Sequence, residues 1–129
     1  MDDAKPRRST EKVFDIRERA FQFAVRIVKL CQYLDKKTSV SRRLIGQLMD
    51  AGTSVGANLE EARAGQSPKD FIHKNSISLK EARESKYWLR LLLATHSFEN
   101  GAEEGIKELE TEALEIAKII AKIIVNTNS

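Results

Sequence analysis

The sequence predicts an all-α protein, an antiparallel up-and-down four-helix bundle, and three observations predict it. Apolar residues recur at three- and four-residue spacing in four successive stretches, the pattern of helices that each bury one face. No stretch alternates apolar and polar residues with the period of two that a strand requires. Glycine and proline together make only eight of the 129 residues, which argues against long irregular segments. With 41% hydrophobic and 32% charged residues, the chain has enough apolar material for one core. The expected organisation is a flexible arm over residues 1–14, a bundle domain over 15–126 and a short tail over 127–129.

The first helix is predicted to start at Asp15, an N-cap with Glu18 three residues on as its capping-box partner. Its stripe is Ala20, Phe21, Ala24, Ile27, Val28, Cys31 and Leu34, with Phe23, Val25 and Leu30 outside or at the edge of it. This helix is therefore apolar over more of its circumference than one core contact needs. It ends in the polar stretch from Asp35 to Ser39.

Ser39 or Ser41 caps the second helix, whose stripe runs from Leu44 and Ile45 through Leu48, Met49, Gly52, Val55, Gly56 and Leu59 to Ala62. Two glycines inside it cost about 1 kcal/mol each relative to alanine. Small residues four apart share one face, so a close approach of another backbone would offset that loss. Gly52, Ser54, Gly56 and Asn58 are accordingly candidates for a packing or oligomer interface, and Gly65 for a left-handed C-cap.

Ser67, Pro68 and Asp70 mark the third helix start: a cap, a proline at the first helical position and an acid in the positive first turn. With no breaker before Thr95, this helix is about 42 Å long at 1.5 Å per residue. Its stripe, Phe71, Asn75, Ser78, Ala82, Ser85, Leu89 and Leu92, is polar in its first half. Asn100 and Gly101 are expected to make the last turn. The fourth stripe is Ile106, Leu109, Ala113, Ile116, Ala117, Ile120, Ile123 and Ile124.

Charge and composition bound the function. The formal net charge of +3 is a gradient: residues 1–43 hold twelve Lys and Arg against six Asp and Glu, and residues 99–129 hold three against seven. The basic front suits a phosphate partner, and the acidic last helix suits solvent or pairing with basic helices. The lone Cys31 has no disulfide partner and sits in an apolar stretch, so it reads as a buried hydrophobe of a reducing compartment. No apolar run approaches the ~20 residues of a membrane span. A soluble, cytoplasmic protein with no membrane partner follows as the expectation.

No constellation supports an enzyme. Glu60, Glu61, Glu81 and Glu84 with Asp70 and His73 suggest a metal, because di-metal bundles place carboxylates and Glu-x-x-His units on facing helices. Only one Asp-x-x-His is present and no second copy, so ion pairing is the better reading, and no metal or cofactor is expected. Cys31 has no histidine near it in sequence, and there is no Gly-x-Ser-x-Gly elbow or phosphate loop. Tyr87 and Trp88 lie about 100° apart on their helix, so at most one faces the bundle centre, and the other is free for a groove or a neighbouring subunit, a subunit contact being the better reading ahead of base stacking.

Basic residues crowd the first third of the chain. Arg19, Arg26 and Lys29 lie near one side of the first helix, Lys36, Lys37, Arg42 and Arg43 surround the first loop, and Arg7 and Arg8 precede them. The seven from Arg19 to Arg43 make candidate contacts to an RNA or DNA backbone.

Three stretches of the chain resemble one known family: AGTSVGANLEEA over residues 51–62, GQSPKDFI over 65–72 and SISLKEARESKYWLR over 76–90. It is the family of four-helix bundle proteins encoded by intervening sequences within bacterial 23S ribosomal RNA genes. The resemblance spans roughly residues 15–125. It implies a ring-shaped homopentamer and kinship with the accessory variability proteins of diversity-generating retroelements, which resemble nucleic-acid-binding barrels, and it implies no catalytic residues. Two functions are therefore expected: a homo-oligomer that holds nucleic-acid backbone through repeated basic patches, or an oligomeric scaffold that recruits a protein partner.

Overall fold

The structure, a computed structural model, describes residues 8–37, 39–65 and 67–128; the side chains of residues 8–15 and of Asn100 lie outside that description. It contains four helices: α1 (Arg8–Asp35), α2 (Arg42–Arg63), α3 (Pro68–Thr95) and α4 (Asn100–Asn128). Each packs on its neighbours in chain order and α4 returns to α1, while among the described residues the backbones of the diagonal pairs stay more than 8 Å apart. Neighbours run antiparallel. Ion pairs join Arg19 to Glu112 and Arg26 to Glu108, so α4 descends as α1 climbs. Glycines at 52 and 56 face Ile27 and Ala20 in the same reversed order.

The ends follow capping chemistry. Ser41, not Ser39, caps α2, its Oγ accepting from the backbone N–H groups of Arg43 and Leu44. Ser67 caps α3 by accepting from Asp70 N–H, Pro68 follows it, and the helix runs 28 residues as its sequence demands. Gly65 is not in the left-handed region. A Cβ there would sit 3.1 Å from the Ala62 carbonyl and 3.3 Å from Asp70 Cβ, so the tight turn into α3, and not backbone chirality, favours glycine. Asn100 and Gly101 open α4, and residues 96–99 make the turn before it.

Two expected boundaries move. The helical backbone of α1 begins at Arg8, so Asp15 lies within the helix and caps nothing; residues 1–7 of the expected arm lie outside the described residues. Residues 127 and 128 of the expected tail belong to α4, which continues to Asn128, and Ser129 lies outside the described residues.

Ile16, just ahead of the expected stripe, is buried and sets the phase of the whole helix. Its buried series is Ile16, Ala20, Phe23, Ile27, Cys31 and Leu34. Phe23 is 1% exposed and Phe21 58%, the reverse of the expected assignment. The sequence offers two interleaved apolar series on this helix, and only the one containing Ile16 faces α2 and α4 together.

In α3, Asn75, Ser78, Ala82, Ser85, Leu89 and Leu92 are buried as the stripe predicts. The polar members are satisfied by backbone. Asn75 donates to Phe71 O and Ser85 to Glu81 O, and Ser78 Oγ donates across to Val55 O at 2.7 Å, pinning α3 to α2. Val40, in the first loop, is 4% exposed and closes that end of the core. His96 Nε2 lies 3.1 Å from the Ser39 carbonyl and is therefore the protonated nitrogen, tying the two loops at this end together. Among the described residues no helix is long and apolar enough to cross a membrane.

Candidate nucleic-acid interface

The seven basic residues singled out in the first third separate into two groups. Arg19 and Arg26 point along the α1–α4 seam. Arg19 makes a two-pronged contact with Glu112, Nε at 3.0 Å and Nη2 at 2.6 Å, and Arg26 reaches Glu108 at 3.3 Å. The acidic last helix thus neutralises part of the basic first one, and these two arginines act as fasteners.

The others gather towards the first loop. Lys29, Lys36 and Arg43 are exposed and have no ion pair among the described residues. Arg42 lies 3.9 Å from Asp35, a loose and solvated pair. Lys37 Nζ sits 4.9 Å above the ring of Tyr33, a cation–π contact that leaves its charge in place. Arg7 and the side chain of Arg8 lie outside the described residues.

A groove between α1 and α4 leads to this end. Arg26, Lys29 and Tyr33 form one wall, Ala102 and Gly105 the other, and Ile106 and Leu109 contribute apolar surface. A Cβ at Gly105 would meet nothing within 4 Å, so this stretch is open. The arrangement offers positive charge and an aromatic face at one end of the bundle. Sequence reasoning missed Tyr33. Its spacing from Lys29 and Lys37, four residues to each side, was the available signal.

The small-residue segment of α2 is used inside the chain. Gly52 lies under Ile27 and Gly56 over the Ala20 backbone, so the close approach is between α1 and α2 of one molecule. Ser54 and Asn58 bond back to their own helix, Ser54 Oγ donating to Asp50 O and Asn58 Nδ2 to Ser54 O. Tyr87 and Trp88 take different environments. Tyr87 is 55% exposed, and Trp88 packs against the core with its ring edge-to-face to Tyr87 at 5.2 Å.

The candidate metal carboxylates are dispersed. Glu61 pairs with Lys74, Glu60 with Arg17, and Asp70 and His73 are exposed in the first turns of α3. Among the described residues no three His, Cys, Asp or Glu side chains group so as to hold a metal ion. Burial first, then Glu84 and Asp50, raise the Glu81 carboxyl above its ordinary range, against the opposing pull of Lys80. Cys31 is buried, its thiol 3.7 Å from the Ile45 carbonyl, and burial pushes its pKa to about 11.

An apolar surface remains on α1. Phe21, Ala24, Val25 and Val28 line a shallow outward depression with Lys29 and Gln32. The surplus expected of this helix is thus a continuous outer stripe.

The fold and these surfaces define a four-helix bundle with a cationic end and an apolar outer stripe on α1. The family model described as 23S rRNA-intervening sequence protein matches residues 12–122, and the chain belongs to that family. No curated protein matches. Among solved structures, the chain is similar to a protein of unknown function from the S23 ribosomal protein family of Bacteroides thetaiotaomicron VPI-5482, determined by crystallography at 1.70 Å. The two are 37% identical with a TM-score of 0.79, over 88% of this chain and 97% of that one.

Proposed function

We propose that this chain is a non-enzymatic, homo-oligomeric protein that holds RNA or DNA by its phosphate backbone in the cytoplasm. The observation that carries the reading is the set of cations around the first loop, Lys29, Lys36 and Arg43, which no carboxylate neutralises among the described residues. Each copy in an assembly repeats them, so weak patches act together on one strand that spans several copies. The outer stripe of Phe21, Val25 and Val28 supplies the contact for self-association, in the ring of five that the family resemblance implies. The descriptions of the family and of its solved relative both name a ribosomal context, which supports RNA ahead of DNA.

Fluorescence anisotropy with labelled RNA and DNA at 50 and 200 mM salt tests the reading. Binding at the lower salt that weakens at least about tenfold at the higher supports it, since each neutralised phosphate releases counterions. Lys36→Ala with Arg43→Ala should weaken binding about equally for all sequences and flatten the salt dependence. No affinity for either nucleic acid at 50 mM salt would favour a scaffold that recruits a protein.

A further inference from the structure

The outer face of α3 carries a second basic surface that the charge gradient along the chain conceals. Lys69, Lys80, Arg83 and Arg90 lie on one row with His73, Ser76 and Tyr87, at alternating four- and three-residue steps. Every member of the row is exposed, and at 1.5 Å per residue it runs about 32 Å along the helix. None of its four permanent cations has an ion pair among the described residues. The lysines on the flanks of the same helix do: Lys74 pairs with Glu61 of α2 and Lys86 with Glu110 of α4. Charges turned towards neighbouring helices are paired, and those turned to solvent have no ion pair among the described residues, although Lys80 acts on the nearby Glu81 carboxyl.

The row also holds an aromatic platform. Tyr87 is 55% exposed and stands between Arg83 and Arg90 on the row. The half-buried Trp88 braces it, the two rings at 74°. A shallow groove runs beside them, lined by Leu79, Lys80, Arg83, Glu84, Tyr87 and Trp88. The buried Trp88 Nε1–H has no acceptor among the described residues, a donor still to be satisfied.

We propose that this face is a track for single-stranded nucleic acid, with Lys69, Lys80, Arg83 and Arg90 on phosphates and Tyr87 stacked on a base. It rests on the nucleic-acid reading above and adds the surface and the state of the strand. Long cationic side chains in a row follow a backbone, and a ring standing on a convex helix meets a base face only when that base is free of a duplex. Glu84 on the groove rim repels phosphate and holds the backbone to the Lys80–Arg83 side. The composition argues against a protein contact here, because interface centres are depleted in charge. The α1 stripe of Phe21, Val25 and Val28 has the apolar character such a contact needs.

Anisotropy with labelled single-stranded RNA and a duplex of the same length tests the track, alongside light scattering and thermal melting of each variant. Tyr87→Ala should weaken single-strand binding about 5- to 150-fold, the loss of one stacked base, and leave duplex affinity within about twofold. Tyr87→Phe should restore it. Lys80→Ala with Arg83→Ala should lower the slope of log affinity against log salt by about 1.4 for the single strand. If the wild type binds and these variants bind as well as it does, the track is wrong and the loop surface stands alone. If the wild type binds nothing, both readings fall. If the variants change particle mass in step with their loss of binding, the face is a contact between copies and the track is overturned.

Discussion

A Cβ at Gly52 would lie 2.7 to 3.0 Å from Cγ2, Cγ1 and Cβ of Ile27, whereas one at Gly56 would meet Ala20 at 3.5 Å, ordinary contact. Ile27 is fully buried and β-branched, so it has no free rotamer to yield into. Gly52→Ala gains about 1 kcal/mol of helix propensity and incurs about 1–3 kcal/mol of overpacking, for a net loss of about 1 kcal/mol. Gly56→Ala should be neutral or stabilising by up to about 1 kcal/mol, while Gly56→Leu should drive into the Ala20 backbone and destabilise. Melting curves decide, and an Ile27→Ala background should turn Gly52→Ala from harmful to helpful. The sequence showed two interior glycines and could not rank them, because the ranking depends on which α1 side chain lies opposite.

Cys31 illustrates the same scale in titration. Its folded pKa of about 11 lies above the ordinary 9.0, so the unfolded chain loses the thiol proton first. Stability is therefore complete below pH 9 and declines as pH rises towards 11. Urea titrations should show that decline reduced in Cys31→Ala, and thiol reagents at pH 8 should modify the native protein only on unfolding. Equal slopes in the two proteins would contradict the assignment.

At the scale of elements, α3 and α1 mark the limits of pattern reading. The α3 start and its buried stripe were legible because Ser67-Pro68 is an unambiguous signal and because no second apolar series competes. On α1 two series compete, and the expected stripe began at Ala20, without Ile16, the residue that separates them. The losing series, Phe21, Val25 and Val28, is the outer stripe proposed for self-association. Phe21→Glu with Val25→Glu should reduce particle mass in light scattering while leaving helical content unchanged. Unchanged mass in a folded double variant would place the interface elsewhere.

At the scale of the molecule, the basic front and acidic end of the chain meet along the α1–α4 seam through Arg19–Glu112 and Arg26–Glu108. The gradient was legible in sequence. Which arginines it would neutralise was not, since the partners lie 93 and 82 residues apart and their match depends on helix register. The row on α3 escaped for the opposite reason: its cations are diluted by Asp70, Glu81 and Glu84 along the chain and separate into a face only once the helix forms.

The proposed protein is a self-assembled particle that carries nucleic acid by phosphate contacts. Size-exclusion chromatography with light scattering and absorbance at two wavelengths measures both halves at once, using protein mixed with RNA. The expected result is a protein mass several times the 14.6 kDa of one chain, co-eluting with RNA at 50 mM salt and free of it at high salt, its own mass unchanged. A particle of 14.6 kDa that elutes apart from RNA at every salt concentration would contradict it.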